Sequence, residues 1–442
     1  MPTKFNAIFQ ALGKLLPQSA FAKSVSIIAG STTLSQIIAF AAAPALTRLY
    51  TPNDFGLFQA YLSIIVFGTV TASFRYELAI FIPEKDRDAI QLLALSIGLT
   101  ILSSSLFFVF LRFLQWASLI PEKYQPLASY FWIGALAVCG FGIFQALNNW
   151  ALRKKAFSVV ATTKIYQTIS MLAVQLVAGF YGKPTVSYLL AGDLIGRITS
   201  VFSLLRTHRK ESRSLISEVN AQAVLCQSRR YFKFPLVSTP SALLNAAGIY
   251  LPMLLLGEYF GSSTLGHFAL VERVMGAPTI LIGGAIAQVY MEKVARLGKD
   301  NPKELHRLFL STCWKLLKLG IIPYTLAAIL GPWFFRTVFG APWSESGQFA
   351  MILAPAYLVA FVLWPLLSTL SILEHQSWQL AWDISRMVFT LGGLWICHRL
   401  NVKPTIAIFI YGMTLSLFYM VHALLSQVAI RKRMLLFLAA NN

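Results

Sequence analysis

Apolar residues gather in twelve long stretches separated by short polar connections, unlike the strict alternation of strands or the one-sided stripe of water-soluble helices. The stretches run over 24–46, 55–76, 89–111, 127–150, 158–180 and 184–206, then over 234–257, 264–289, 309–332, 346–371, 377–398 and 404–428. Each is about 20 residues long, the length that carries a helix across a hydrocarbon layer of about 30 Å. Only a helix satisfies its own backbone hydrogen bonds there, and barrel strands would be shorter and alternating. The expected fold is therefore an all-α integral membrane protein of about 12 transmembrane helices.

The longest polar connection, 207–233, has six stretches on either side. It divides the chain into an N-lobe over 24–206, a basic linker over 207–233 and a C-lobe over 234–430, followed by a basic tail over 431–442. Residues 1–23 carry Lys4, Lys14 and Lys23 around Ile8, Phe9, Leu12, Leu15 and Leu16. That spacing predicts an amphipathic segment on the membrane surface, or else a plain tail, with no cleavage signal. A faint internal echo links the halves. Pro44 precedes Gly56-Leu57-Phe58 by twelve residues, and Pro252 precedes Gly266-His267-Phe268 by fourteen. With an even number of spans in each half, the halves would be parallel repeats about an axis along the membrane normal, enclosing a cavity between them.

Composition agrees with the pattern. Hydrophobic types make up 57% and charged types 12%, with mean hydropathy +0.65, where a soluble domain carries roughly 25% charged residues. The net charge of +20 would point to nucleic acid in a soluble protein, but its distribution says otherwise. Alternate connections hold 24 basic residues on one side and 7 on the other, which places both termini in the cytoplasm and removes any reason to expect a nucleic-acid partner. Four dispersed cysteines, Cys139, Cys226, Cys313 and Cys397, predict neither a disulfide framework nor a zinc site. Six scattered histidines form no metal motif, and there is no G-x-S-x-G or Walker A signature. The expectation is a non-enzyme with no catalytic residues, no metal and no cofactor, driven by an H+ or Na+ gradient, by the membrane potential or by downstream consumption.

Charges at membrane depth must face a cavity or a partner, which makes them the candidate site. Arg75 closes the second span, Asp193 and Arg197 lie one turn apart in the sixth, Glu272 and Arg273 are adjacent in the eighth, and Asp383 and Arg386 lie in the eleventh. The i,i+4 and i,i+3 pairs can neutralise themselves within one helix. Consecutive Glu272 and Arg273 cannot share a face, and Arg273 is the sharper candidate for a cavity-lining cation. Arg48 sits at the outer end of the first span. Lys164, Lys315 and Lys318 are shallow enough to snorkel to the headgroups. Prolines inside spans, such as Pro252, Pro278 and Pro323, predict kinks.

Several stretches together resemble a known family. They are APALTRLYTPNDFGLFQAYLS (43–63) with FRYELAI (74–80), YFKFPLVSTPSALLNAAGIYLPMLLLGEYFG (231–261), LGHFALVERVMGAPTILIGGAIAQVYMEKVA (265–295) and GPWFFRTVFGAPWSESGQFAMILAP (331–355). In order and spacing they resemble the bacterial polysaccharide or oligosaccharide flippases, the Wzx-type O-antigen, capsule or exopolysaccharide translocases of the multidrug/oligosaccharidyl-lipid/polysaccharide (MOP) exporter superfamily. The resemblance implies a V-shaped bundle of two six-helix lobes in the cytoplasmic membrane. It would carry a polyprenyl-diphosphate-linked oligosaccharide between leaflets by alternating access, alongside membrane lipids, a glycan polymerase and a chain-length regulator. By motif position it implies Arg48, Arg75 and Arg273 as head-group contacts, and depth adds Arg197 and Arg386. Asp193, Glu272 and Asp383 would be coupling-ion or charge-pair residues. Two other readings stay open: a cation-coupled drug or metabolite antiporter using those carboxylates, and a membrane glycan polymerase or ligase, which the short outer connections disfavour.

Overall fold

The computed structural model describes the backbone of residues 20–216 and 218–440, and side-chain surroundings over 27–207, 218–297 and 301–435. The amphipathic segment expected over 1–23 lies almost wholly outside the described residues, as does the end of the tail. All twelve apolar stretches are helical. The first half comprises α1 (Ala20–Leu49), α2 (Pro52–Thr71), α3 (Asp86–Trp116), α4 (Phe131–Arg153), α5 (Phe157–Tyr181) and α6 (Val186–Ile216). The second comprises α7 (Thr239–Phe260), then α8, which is Ser262–Pro278 continued through a π-helical turn at Thr279–Gly283 into Gly284–Asp300. It continues with α9 (Pro302–Phe339), α10 (Ser344–Leu363), α11 (Gln376–Arg399) and α12 (Pro404–Ala440).

Among the described residues ten spans are long and apolar enough to cross a membrane, and α5 and α11 are the two long helices that fall short. Their lower hydropathy comes from interior polar groups: Lys164, Gln167 and Gln175 in α5, Gln379, Asp383 and Arg386 in α11. Several helices run past the apolar stretch that announced them, because a helix started in the bilayer continues into water at little cost. α9 has 38 residues, about 57 Å at 1.5 Å per residue. Much of the expected linker is likewise helical, with α6 running to Ile216 and a short helix at Ala221–Arg230.

Within the first half, α1 packs on α5, α5 on α6, α6 on α4, and α4 on α2 and α3; within the second, α7 packs on α8 and α11, α9 on α10, and α12 on α9, α10 and α11. The halves meet chiefly through α2 against α8 and α7. This contact sits at the end of the bundle opposite the basic connections, where α1 turns into α2 and α7 into α8. The α2 start is sharply specified: Thr51 caps it, its Oγ1 accepting from Asp54 N at 3.2 Å while Asp54 Oδ2 accepts from Thr51 N at 3.1 Å, and Pro52 fills the first turn. Gly261, at φ +100°, reverses the chain between α7 and α8.

The two helices cross so closely that only glycine fits at the crossing. A Cβ on Gly56 would lie 1.7 Å from the Ser262 carbonyl oxygen, and one on Gly266 would lie 1.8 Å from that of Pro52. The contact is reciprocal, four residues before each glycine meeting the glycine of the other helix. The glycines that marked the internal echo are thus the pair that touch. Around them the Ser262 hydroxyl donates to Asn53 Oδ1, the Lys123 ammonium to the Glu258 carbonyl, and Tyr124 to the Leu254 carbonyl. Trp343, fully buried after α9, donates from Nε1 to Thr47 O at 2.8 Å and packs edge-on against Phe55 with centroids 5.0 Å apart.

A methyl group at this crossing must push the lobes apart. With the native cysteines replaced by serine, Asn53→Cys/Ser262→Cys should crosslink readily in membranes. Adding Gly266→Ala should reduce that crosslinking roughly tenfold, the effect of an overpacking cost of about 1–3 kcal/mol. Equal crosslinking with and without the alanine would show that the crossing tolerates a side chain.

Candidate functional site

At the basic end the lobes stand apart around a cavity of about 750 Å3. Arg75 reaches it from the first lobe; Asn245 and Gly248 of α7 and Asp383 and Arg386 of α11 line it from the second. The chain delivers Arg75 by breaking α2. After Thr71, Phe74 and Arg75 adopt left-handed backbone at φ 49° and 65°, and a four-residue helix, Tyr76–Ala79, follows. Two consecutive non-glycine residues in that region are strained, and neighbours hold them there. Glu77 is buried, Ser73 donates to its carboxylate, and Asn149 Nδ2 of α4 donates to its carbonyl at 3.0 Å. Arg75 Nη1 lies 3.8 Å from Glu77 Oε1, while its Nε is buried without a hydrogen-bond partner.

Arg386 is held differently. Its guanidinium lies 5.1 Å from the centroid of the Trp382 ring, Nη2 is 3.7 Å from Asp383 Oδ1, and Nε is again buried and unpartnered. The absent side chain of Gly248 leaves its space to Nη2, which lies 3.3 Å from where a Cβ would be. Behind this pair runs a chain of polar groups that sequence reading missed: Gln379 Nε2 donates to Asp383 Oδ2 at 3.2 Å, and Gln379 Oε1 lies 2.8 Å from Nε2 of buried His422 on α12. Trp382 Nε1 donates to Phe418 O at 2.6 Å. The i,i+4 spacing of Gln379 and Asp383 is the only signal that could have found any of it.

Arg273 and Glu272 lie elsewhere, lining a second cavity of about 400 Å3 between α1 and α8. Its other walls are mostly apolar, with Ile37 and Phe40 of α1 and Ile280 of α8 exposed on its rim. The two residues border one cavity although consecutive, contrary to the expectation that they face apart. Glu272 Oε1 accepts from Tyr357 of α10 at 3.0 Å, whereas Arg273 has no ion pair or hydrogen bond among the described residues.

Asp193 and Arg197 belong to neither cavity. They lie inside the first lobe, Arg197 Nε donating to Asp193 Oδ2 at 2.8 Å, with Tyr61 of α2 donating to the same oxygen at 3.3 Å and the guanidinium 5.3 Å from the Phe141 centroid. Arg48 is exposed near the close crossing, at the end opposite the large cavity. The structure therefore brings Arg75, Asp383 and Arg386 together, sets Arg273 and Glu272 in a neighbouring seam, and leaves the other three apart. Of the shallow lysines, Lys315 and Lys318 are exposed, but Lys164 is turned inward and donates to Thr32 of α1 at 2.9 Å.

Teichuronic acid biosynthesis protein TuaB of Bacillus subtilis (strain 168) is 21% identical over 336 residues, covering 75% of this chain and 66% of its own length. The chain thus spans slightly less than two thirds of that relative. Among solved structures, the lipid II flippase MurJ in an inward closed conformation aligns with TM-score 0.68 at 12% identity, covering 92% of this chain and 89% of that one. An inward-facing multidrug resistance MATE family transporter of the MOP superfamily aligns with TM-score 0.66 at 11% identity, covering 90% and 95%. At such identities the likeness is one of fold. The family model described as "Polysaccharide biosynthesis protein" matches residues 45–348. The chain is a multi-pass membrane protein with the fold of MOP transporters, and it belongs to the polysaccharide biosynthesis protein family.

Proposed function

We propose that the protein is a flippase that moves a polyprenyl-diphosphate-linked oligosaccharide from the inner to the outer leaflet of the cytoplasmic membrane by alternating access, with the basic end and both termini in the cytoplasm. The observation that carries the reading is the cavity at the basic end, lined by Arg75 from one lobe and Arg386 from the other, whose guanidinium groups donate no hydrogen bond among the described residues. A diphosphate accepts paired, charge-assisted hydrogen bonds from guanidinium groups of fixed geometry. The polar α7 wall suits a sugar chain. The apolar seam between α1 and α8, with Arg273 unpaired among the described residues at its inner wall, suits the passage of an isoprenoid tail beside its anionic head. The family and the MurJ-like fold support the same class of cargo.

In this reading Arg75, Arg273 and Arg386 contact the head group, and Glu272 and Asp383 tune the charge beside them. Asp193 with Arg197 is a structural pair of the first lobe, and Arg48 lies where cargo leaves. No cofactor is needed. A proton or sodium gradient, or the membrane potential, would drive the cycle, and a polymerase and chain-length regulator would take up the product.

The test is deletion of the gene in its host, complemented by variants at normal membrane level. Surface glycan should disappear while complete lipid-linked units accumulate on the cytoplasmic leaflet. Arg75→Ala, Arg273→Ala or Arg386→Ala should each reduce export roughly 30-fold, as expected when charge-assisted bonds of about 2 kcal/mol are lost. Units that accumulate unpolymerised on the outer leaflet would favour the polymerase or ligase reading, and unaltered glycan with raised sensitivity to toxic cations would favour the antiporter.

The structural role of the α6 pair has its own measurement. Asp193→Asn should destabilise the detergent-purified protein by about 3–5 kcal/mol, because it strands a buried guanidinium. Asp193→Asn/Arg197→Gln should recover part of that loss in thermal unfolding. A stable but inactive Asp193→Asn protein would instead make Asp193 a working residue.

A further inference from the structure

A third cavity, of about 620 Å3, lies at the basic end where α8 ends and α9 begins, away from both cavities described above. Lys293, Arg296, Lys303 and Arg307 line it, with Glu304 the one carboxylate among its described lining residues. All four cations are exposed, and none has an ion pair among the described residues. Leu297 and Leu308, which form its floor, pack on the buried cluster of Tyr290, Val294, Leu305 and Phe309. The cavity is therefore cationic at its rim and apolar at its base.

The surface of α9 continues that polarity into the bilayer. Lys303, Arg307, Leu310, Trp314, Lys318 and Ile321 succeed one another at helical spacing, and all are exposed. Two charged positions lead into the apolar pair Leu310 and Trp314 before Lys318, the order in which a phospholipid presents its phosphate and then its chains. Trp314 is 61% exposed, with the Lys318 ammonium 5.8 Å from its ring centroid, as an interfacial anchor would be. A soluble anion would use the rim alone and leave the apolar stripe without a role.

We infer that the α8–α9 junction is a binding site for an anionic glycerophospholipid, its phosphate held by Lys293, Arg296, Lys303 and Arg307 and its acyl chains laid along Leu310 and Trp314. Basic pockets between spans on the cytoplasmic side bind such head groups in general. The placement matters because the site grips the end of the helix that carries, beyond the π-turn at Thr279–Gly283, both Arg273 and the crossing glycine. The inference stands apart from the identity of the cargo.

Trp314 supplies the readout. The full-length protein is reconstituted with brominated phosphatidylglycerol or brominated phosphatidylcholine at equal mole fraction, and the Trp314 contribution is isolated by difference against Trp314→Phe. The phosphatidylglycerol should quench Trp314 with a preference of roughly tenfold in effective affinity. Arg296→Gln/Arg307→Gln should abolish the preference and Arg296→Lys/Arg307→Lys should keep most of it. Lys85→Gln/Arg87→Gln, at the same membrane face but outside the cavity, should leave it unchanged. Equal quenching by the two lipids overturns the inference, as does an equal loss in the Lys85/Arg87 variant, which would mean diffuse surface potential. Displacement of the lipid by soluble glycerol phosphate would make the site one for a free phosphate and would overturn it too.

Discussion

Everything distinctive in this bundle hangs on one close approach, the crossing of α2 and α8 at Gly56 and Gly266. Lipid tails are as apolar as leucine, so helices in a bilayer gain little from hiding apolar surface and must associate through close packing and weak polar contacts. Glycine lets two backbones touch, and here each glycine receives the other helix's carbonyl where a side chain would be. Contacts of the Cα–H···O kind are worth about 0.5–1 kcal/mol each. The lobes are joined at this end and splayed at the other, and the splay creates the cavity that Arg75 and Arg386 share.

The helical architecture was legible because the bilayer leaves a chain few choices. Twelve apolar stretches of spanning length can only be helices, and all twelve are. The boundaries were less legible, since hydropathy marks where the hydrocarbon ends and not where hydrogen bonding does; α9 and α6 both outrun their apolar cores. α5 and α11 show the same limit from the other side. Their polar residues lower the apparent hydropathy, yet Lys164 is satisfied by Thr32 and Asp383 by Gln379, inside the bundle.

The candidate site was legible as a list but not as a place. Depth in the membrane flagged Arg75, Arg197, Arg273 and Arg386 alike, because the cost of a buried charge applies wherever the charge sits. What separates them is the company they keep across the fold. Arg197 finds Asp193 and Tyr61 within its lobe, Arg386 finds Trp382 and an open cavity, and Arg273 finds no partner among the described residues. Tyr61, Tyr357 and His422 decide these outcomes from 132, 85 and 43 residues away along the chain from their respective partners, a separation that no local motif encodes. The internal echo was the exception. Its glycines touch because the two halves meet about an axis, so a repeat in sequence became a contact in space.

In the proposed cycle the energies at the two ends of the molecule would be of one scale, and that would permit switching. The closed end is held by the glycine crossing and a handful of hydrogen bonds between lobes, such as Trp343 to Thr47 and Ser262 to Asn53. Interhelical hydrogen bonds in membrane proteins average about 0.6 kcal/mol, so the closed end is stabilised by a few kcal/mol in all. A diphosphate bridging Arg75 and Arg386 would form several charge-assisted bonds of about 1.5–3 kcal/mol each, and these could all be made only with the lobes drawn together at the basic end. A ligand shifts an equilibrium by its differential affinity for the two states. In the proposed cycle that difference would match the cost of opening the glycine crossing, so an anion drawing the basic end together would supply the free energy to part the other. α8 is the element through which this would act, since it holds Gly266 at the crossing, Arg273 in the seam and a π-turn between that seam and the basic end.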